Sequence, residues 1–118
     1  MINSYKDLVV WQKSIELVKE IYQITKLLPK EELYGLTSQM RRSGISIPSN
    51  IAEGQQRKSR KEFCQFLRIA YGSAAELETQ LIISREIHPQ IDFLTAELLL
   101  KEVHKMLNTL IQKLELKL

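Results

Sequence analysis

The chain has 118 residues, a formal net charge of +3 and a sequence pI near 9.0. This length suits one domain over residues 1–118, and the scarcity of Gly, Pro and aromatic residues predicts an all-α fold. A single cysteine excludes an internal disulfide and indicates a cytoplasmic location. Because no apolar run is long enough for a signal peptide or a membrane span, we expect no membrane partner.

The first predicted helix begins near Ser4 and Asp7, which resemble a capping pair. From there the apolar residues form two adjacent stripes at helical spacing, which together cover roughly half of the circumference. A helix that only faces the core of a monomer needs a stripe of roughly 100°. The excess predicts either a wider core face or a second interface. The first stripe is Leu8, Trp11, Ile15, Val18 and Tyr22, and the second is Val10, Ser14, Leu17, Ile21, Ile24 and Leu28.

The second predicted helix contains both a glycine and a proline. The Leu28-Pro29 step ends the first helix, because the residue before a proline is disfavoured in the helical region. The second helix then begins between this step and Leu36. Gly35 and Gly44 lower the helix propensity locally, and Pro48 removes one backbone donor, so we expect a kink near Gly44 to Pro48. Gly54 is expected to end the helix as its C′ residue.

The third and fourth helices have clear boundary signals. The segment Ser59–Glu62 has the capping-box pattern, so the third helix starts there and continues to about Ile87. The linker His88–Ile91 stops it, and a last helix follows from Asp92 or Thr95. Four long helices with short connections predict an up-down-up-down antiparallel four-helix bundle with a kinked second helix.

Metal and catalytic chemistry find little support in the residue types present. The chain has two histidines, one cysteine and no Glu-x-x-His, the motif that supplies di-iron sites in helix bundles. It has no phosphate-binding glycine loop, and the pattern pairs no nucleophile with a base. We therefore predict no catalytic residue, no metal and no cofactor. The last-ranked alternative is an enzyme that uses Arg42 and Glu53 on a small molecule.

The segment Arg41–Glu62 concentrates the positive charge, with six cations and only two carboxylates. A local positive patch on an otherwise neutral body points to a polyanionic partner. Cations at a helix start oppose the helix dipole, but next to exposed backbone donors they suit a phosphate. The alternative is an ordinary solvated surface. The predicted nucleic-acid-binding residues are Arg41, Arg42, Arg57, Lys58, Arg60 and Lys61. Because this segment holds no aromatic residue for base stacking, contacts are expected to rest on phosphate and shape.

Polar residues recur every three or four positions on the second helix and therefore share one face. A hydrogen-bonded structural network beside the kink is favoured, since a buried charge persists only when it is paired. A polar stripe that faces a ligand is the alternative. The predicted network comprises Arg42, Ser46, Asn50, Glu53 and Glu76.

The run QMRRSGISIPSNIAEGQQRKSRKEFCQFLRIAYGSAAELETQL and the opening YKDLVVWQKSIELVKEIY resemble the bacterial family of 23S rRNA intervening-sequence proteins. The resemblance implies a four-helix bundle that assembles into a homo-oligomer, typically a pentamer, with a positively charged surface. The related accessory variability determinant of diversity-generating retroelements is a similar pentameric bundle that binds a reverse transcriptase and nucleic acid. Gly44 stands where a small apolar residue such as Ala is usual in the family. The family's motif positions are Arg42, Ser46, Asn50, Glu53, Gly54, Ser73 and Glu76.

The residues and the resemblance together predict a non-enzymatic, oligomeric protein that binds nucleic acid through the basic patch, with RNA favoured. Oligomerisation would repeat the patch and strengthen weak contacts through multivalency. The alternative is a protein-interaction adaptor, in which the oligomer docks a partner enzyme and the cations only keep the surface solvated.

Overall fold

The helices of the chain follow its apolar stripes. The computed structural model describes residues 4–118, and in this part the long helices are α1 (Val9–Thr25), α2 (Ser38–Gln56), α3 (Arg60–Ile87) and α4 (Leu94–Glu115). Helix α1 packs against α2 and α4, and α3 packs against the same two helices, so the four surround one core. The bundle measures 45 × 19 × 19 Å. The predicted all-α up-down-up-down bundle is confirmed.

The core is built from apolar residues of all four helices. Each fully buried Leu, Ile or Met contributes roughly 1.5–3 kcal/mol relative to an exposed side chain. On α1 the second apolar stripe is buried, whereas the first stripe is partly buried along its whole length, with Leu8 and Trp11 packed against the core. The most deeply buried aliphatic residues are Leu17, Ile21, Met40, Ile47, Ile51, Leu67, Leu77, Leu81, Val103 and Leu107.

The second helical segment is kinked, as predicted, but the break lies closer to its start. A 3₁₀ turn (Lys30–Glu32) leads into a π-helical turn (Leu33–Thr37), and the backbone leaves the helical region at Gly35, with φ −114° and ψ −111°. Helix α2 then runs through Gly44 and Pro48 without interruption. Both residues are buried against neighbouring helices, and this packing outweighs one missing hydrogen bond. The predicted position of the kink was therefore wrong.

The prediction for Gly54 was also wrong. Gly54 lies inside α2, and Lys58 is the described residue that adopts the left-handed conformation, with φ 59°. A Cβ on Gly54 would lie 2.6 Å from Phe66 Cβ and 3.1 Å from Phe63 Cδ1. Glycine is present because α2 and α3 approach closely here, not because the helix ends.

Side-chain hydrogen bonds stabilise three of the element starts, and two of them, at Ser4 and Ser59, are N-caps. Ser59 Oγ accepts the Glu62 N–H at 3.3 Å, which confirms the predicted start of α3. Asp92 Oδ1 accepts the N–H of Leu94, the first residue of α4, at 2.9 Å. At the other terminus, Ser4 Oγ caps a 3₁₀ turn (Tyr5–Asp7), and α1 begins only after it. No helix among residues 4–118 has the length and apolarity needed to cross a membrane.

A buried polar contact joins the two connections at one end of the bundle. His88, at the C-cap of α3, is 8% exposed, and its Nε2 lies 2.7 Å from Glu32 Oε2 in the turn before α2. From the sequence, His88 was predicted only as part of a linker. The contact was missed because the two residues lie far apart in the sequence and meet only when the bundle closes.

Candidate nucleic-acid interface

The fold divides the six predicted cations into two groups. Arg57, Lys58, Arg60 and Lys61 lie at the turn between α2 and α3, at one end of the bundle. Arg41 and Arg42 lie in the first turns of α2, about 24 Å away along the axis at 1.5 Å per residue. The basic segment is therefore not one continuous patch.

The two arginines of the early α2 turns are engaged in contacts between helices. Arg41 Nε donates to Thr25 Oγ1 at 2.9 Å, and its guanidinium lies 4.4 Å from the centre of the Tyr22 ring. Arg42 donates to Gln39 Oε1 at 2.8 Å and pairs with Glu76 Oε2 of α3 at 3.3 Å. A phosphate at either arginine would have to compete with these partners.

Arg57 is also paired, although it lies at the basic turn. Its guanidinium contacts Glu53 Oε1 at 2.9 Å and Glu62 Oε1 at 3.7 Å, and it lies 5.0 Å from the centre of the Phe66 ring. These contacts tie the last turn of α2 to the first turns of α3. Arg57 therefore stabilises the turn, and its charge is largely neutralised.

Lys58, Arg60 and Lys61 are exposed and differ from the arginines described above. Among residues 4–118, no carboxylate lies within ion-pairing distance of their cationic nitrogens. Arg60 Nη1 donates to the Lys117 carbonyl oxygen at 3.3 Å, a neutral partner that leaves the guanidinium charge uncompensated. This turn therefore carries unneutralised positive charge.

The antiparallel topology brings further lysines to this end, which were not among the predicted nucleic-acid-binding residues. Lys6 precedes α1, whereas Lys113 and Lys117 lie at the end of α4. All three are exposed, and within the described chain none forms an ion pair. Only the bundle topology could have revealed them. We call the combined surface the basic end; it consists of Lys6, Lys58, Arg60, Lys61, Lys113 and Lys117.

A groove opens within the basic end, where the start of α1, the α2–α3 turn and the end of α4 meet. Its volume is about 420 Å³. Phe63 belongs to its wall. The segment Arg41–Glu62 holds no aromatic residue, but Phe63 follows it directly and lies beside the basic turn. We call this cavity the end groove; it is lined by Leu8, Gln55, Lys58, Ser59, Arg60, Phe63, Leu110 and Leu114.

The predicted polar network separates into three local contacts. Asn50 Nδ2 donates to Ser46 Oγ at 2.9 Å, and Ser73 of α3 donates to the same hydroxyl at 2.9 Å. Arg42 pairs with Glu76, and Glu53 pairs with Arg57 one helical turn later. Ser73 thus links α2 to α3, whereas Glu53 only braces its own helix. The arrangement weighs against the enzyme alternative, since Arg42 and Glu53 have separate partners.

Other reactive groups lie apart from one another. Among the described residues, no group of three or more His, Cys, Asp or Glu side chains could hold a metal ion. Cys64 is buried as a free thiol. His104 stacks at a tilt on Tyr71, with the ring centres 4.2 Å apart, and its buried Nε2 has no hydrogen-bond partner in residues 4–118.

These features define a class of protein: an antiparallel four-helix bundle with unneutralised cations at one end. The chain belongs to the 23S rRNA-intervening sequence protein family, whose model matches residues 6–109. It is similar to a crystal structure from Bacteroides thetaiotaomicron VPI-5482, described as a protein with unknown function from the S23 ribosomal protein family. The two share 32% identity with a TM-score of 0.77, over 88% of this chain and 96% of the other. No curated protein shows a significant match.

Proposed function

We propose that this protein is a non-enzymatic, cytoplasmic nucleic-acid-binding protein that contacts phosphates with its basic end. The observation that supports the proposal is the contrast in charge pairing along one segment. Arg42 and Arg57 have carboxylate partners, whereas Lys58, Arg60 and Lys61 have none within the described chain. Unpaired cations gathered on one surface are the electrostatic footprint of a polyanion site.

RNA is the favoured polyanion. The description of the matching family names an intervening sequence of 23S rRNA and no ligand, so the preference for RNA rests on the charge of the basic end and on the resemblance described above. The basic end draws lysines from three separate segments, so a backbone could contact several of them at once. Each phosphate that is neutralised releases a bound counterion, which makes the affinity depend on salt.

Self-association is part of the proposal. The partly buried stripe of α1 forms one wall of a groove of about 310 Å³ between α1 and α2, which includes Trp11, Ile15 and Ile45. A second copy packed on this stripe would bury it, and a ring of copies would present several basic ends to one strand. The resemblance described above implies a pentamer, in which weak contacts would add through multivalency.

The test is fluorescence anisotropy with structured RNA, single-stranded RNA and duplex DNA over a range of salt concentrations. We expect the logarithm of the affinity to fall linearly with the logarithm of the salt concentration. Replacing Lys58, Arg60 and Lys61 with Ala together should reduce that slope by about 2–3, because each lost phosphate contact removes roughly 0.7–0.9.

A variant with Lys19, Lys26 and Lys30 replaced by Ala is the matched control, because it removes the same charge from exposed positions away from the basic end. Its slope should stay close to that of the wild type. Equal slopes for wild type and the Lys58, Arg60 and Lys61 variant would remove these residues from the proposal. If none of the three nucleic acids binds at low salt, the protein-adaptor alternative becomes the better account.

A further inference from the structure

We infer that the end groove accommodates an unpaired nucleobase, so that the protein prefers strands or strand ends whose bases are free. The inference rests on the proposed function and refines it, since it names the part of the nucleic acid that the site recognises. It depends on the volume, the apolar wall and the charge of one cavity.

The size and wall of the end groove suit a largely apolar group as large as a base. Its volume of about 420 Å³ lies within the roughly 300–1,000 Å³ typical of small-molecule sites. Leu8, Phe63, Leu110 and Leu114 supply an apolar wall from three different segments. Bases gain roughly 1–3 kcal/mol each by stacking on aromatic side chains, and Phe63 is the aromatic residue in this wall.

The charge at the groove indicates that its occupant is anionic. Lys58 and Arg60 line the groove, and no lining residue is acidic. A neighbouring groove of about 470 Å³ between α1 and α4 is also apolar, but Glu102 lies in its wall beside Lys105 and Lys113. A base next to its own phosphate combines the two properties that the end groove requires, an apolar face and a negative charge.

Polar groups in the groove wall can contact the edge of a base. Ser59 Oγ accepts the Glu62 N–H, which leaves its own hydroxyl proton for a further acceptor. Gln55 Oε1 accepts from Gln56 Nε2 at 3.2 Å, and its own amide group can still donate. A base inside a duplex cannot enter the groove without leaving the stack, which costs a few kcal/mol. Unpaired bases should therefore be favoured.

The experiment compares three RNA probes of equal length in fluorescence anisotropy at one salt concentration: a single strand, a blunt duplex and a single strand with abasic sites. We expect the ordinary single strand to bind at least about fivefold more tightly than the abasic strand. Equal affinity for all three probes would overturn the inference and leave the proposed function intact. No binding of any probe would contradict both.

The variant Phe63→Leu keeps an apolar wall but removes the ring, and it should abolish the preference for the ordinary strand over the abasic one without changing the salt slope. Phe66→Leu is the matched control one turn later on α3, because Phe66 does not line the groove. A Phe63→Leu protein that keeps the full preference would overturn the inference.

Photocrosslinking needs no variant. A strand that carries 5-iodouracil should form an adduct with wild-type protein at the end groove, which mass spectrometry can locate. Adducts found only outside the end groove would overturn the inference.

A second experiment uses an apolar dye bound in the groove. If anionic lipid vesicles displaced the dye and the single strand did not, the inference would also be overturned.

Discussion

Two buried glycines of α2 have opposite surroundings. A Cβ on Gly54 would come within 2.6 Å of Phe66 Cβ, an atom that moves only if the backbone of α3 moves. A Cβ on Gly44 would meet Ile21 Cγ1 and Leu77 Cδ2 at 3.9 Å, which is ordinary contact. The same added methyl group therefore strains the packing at one position and fits at the other.

We predict that Gly54→Ala lowers the free energy of unfolding by up to about 2 kcal/mol. Forced overpacking costs roughly 1–3 kcal/mol, which exceeds the gain of about 1 kcal/mol from replacing glycine in a helix. Urea unfolding followed by circular dichroism would measure the change.

Gly44→Ala is the matched control, since it makes the same change in the same helix. It should raise the free energy of unfolding by about 0.5–1 kcal/mol. If Gly54→Ala were as stable as Gly44→Ala, close approach would not be the reason for glycine at position 54.

The pairing of individual arginines shows how far the sequence could define the site. The contact of Arg57 with Glu53 follows from their i,i+4 spacing and could be predicted. The contacts of Arg41 with Tyr22 and of Arg42 with Glu76 join different helices. These contacts depend on which helix faces meet in the bundle. The sequence alone therefore gave no reason to separate the six cations, although Arg41, Arg42 and Arg57 contact other side chains.

At the scale of elements, the sequence predicted the helices better than the connections. Apolar periodicity and the Ser59 cap are local signals, and α3 begins and ends within a residue of its predicted bounds. The position of the kink and the reason for glycine at position 54 were predicted wrongly, because both depend on packing between helices. Gly44 and Gly35 have the same intrinsic propensity, but Gly44 is buried between α1 and α3 inside a continuous helix, whereas Gly35 is less buried and lies at the break.

The contact between Glu32 and His88 should fasten the turn before α2 to the end of α3. We predict a coupling free energy of about 1 kcal/mol or more in a double-mutant cycle of Glu32→Ala and His88→Ala. The contact is short and mostly buried, and removing one partner leaves the other without its hydrogen bond. Unfolding in urea supplies the four stabilities required.

The Lys13–Glu102 pair is the control for that cycle. It also joins two elements, at 3.5 Å, but both side chains are substantially exposed, so a coupling of only about 0.2–1 kcal/mol is expected. A cycle for Glu32 and His88 with no coupling would show that the contact adds nothing to stability.

At the scale of the whole molecule, the partly buried apolar stripe of α1 predicts that copies of the chain associate. Sedimentation or light scattering should give a mass several times the 13.8 kDa of one chain, and five times that mass if the resemblance holds for the copy number. Ile15→Lys should weaken self-association by about tenfold or more, because it would bury an ammonium group without a partner.

Ile69→Lys places the same charge on an exposed isoleucine of α3, away from the stripe, and should leave the mass unchanged. A wild-type protein that stays monomeric at micromolar concentration would rule out the assembly. If Ile69→Lys rather than Ile15→Lys dissociated the oligomer, the interface would lie on α3.

Lys58 has a consequence for how such a molecule evolves. A lysine in the left-handed region costs roughly 1 kcal/mol of fold stability relative to glycine. Mutation to glycine or asparagine would thus favour folding but would also remove a cation from the basic end. In a lineage that still binds a polyanion, selection on binding would oppose selection on stability at this position. A lineage that had lost its ligand would drift towards glycine or asparagine. The residue at this position of the turn between α2 and α3 would then indicate whether binding is still under selection.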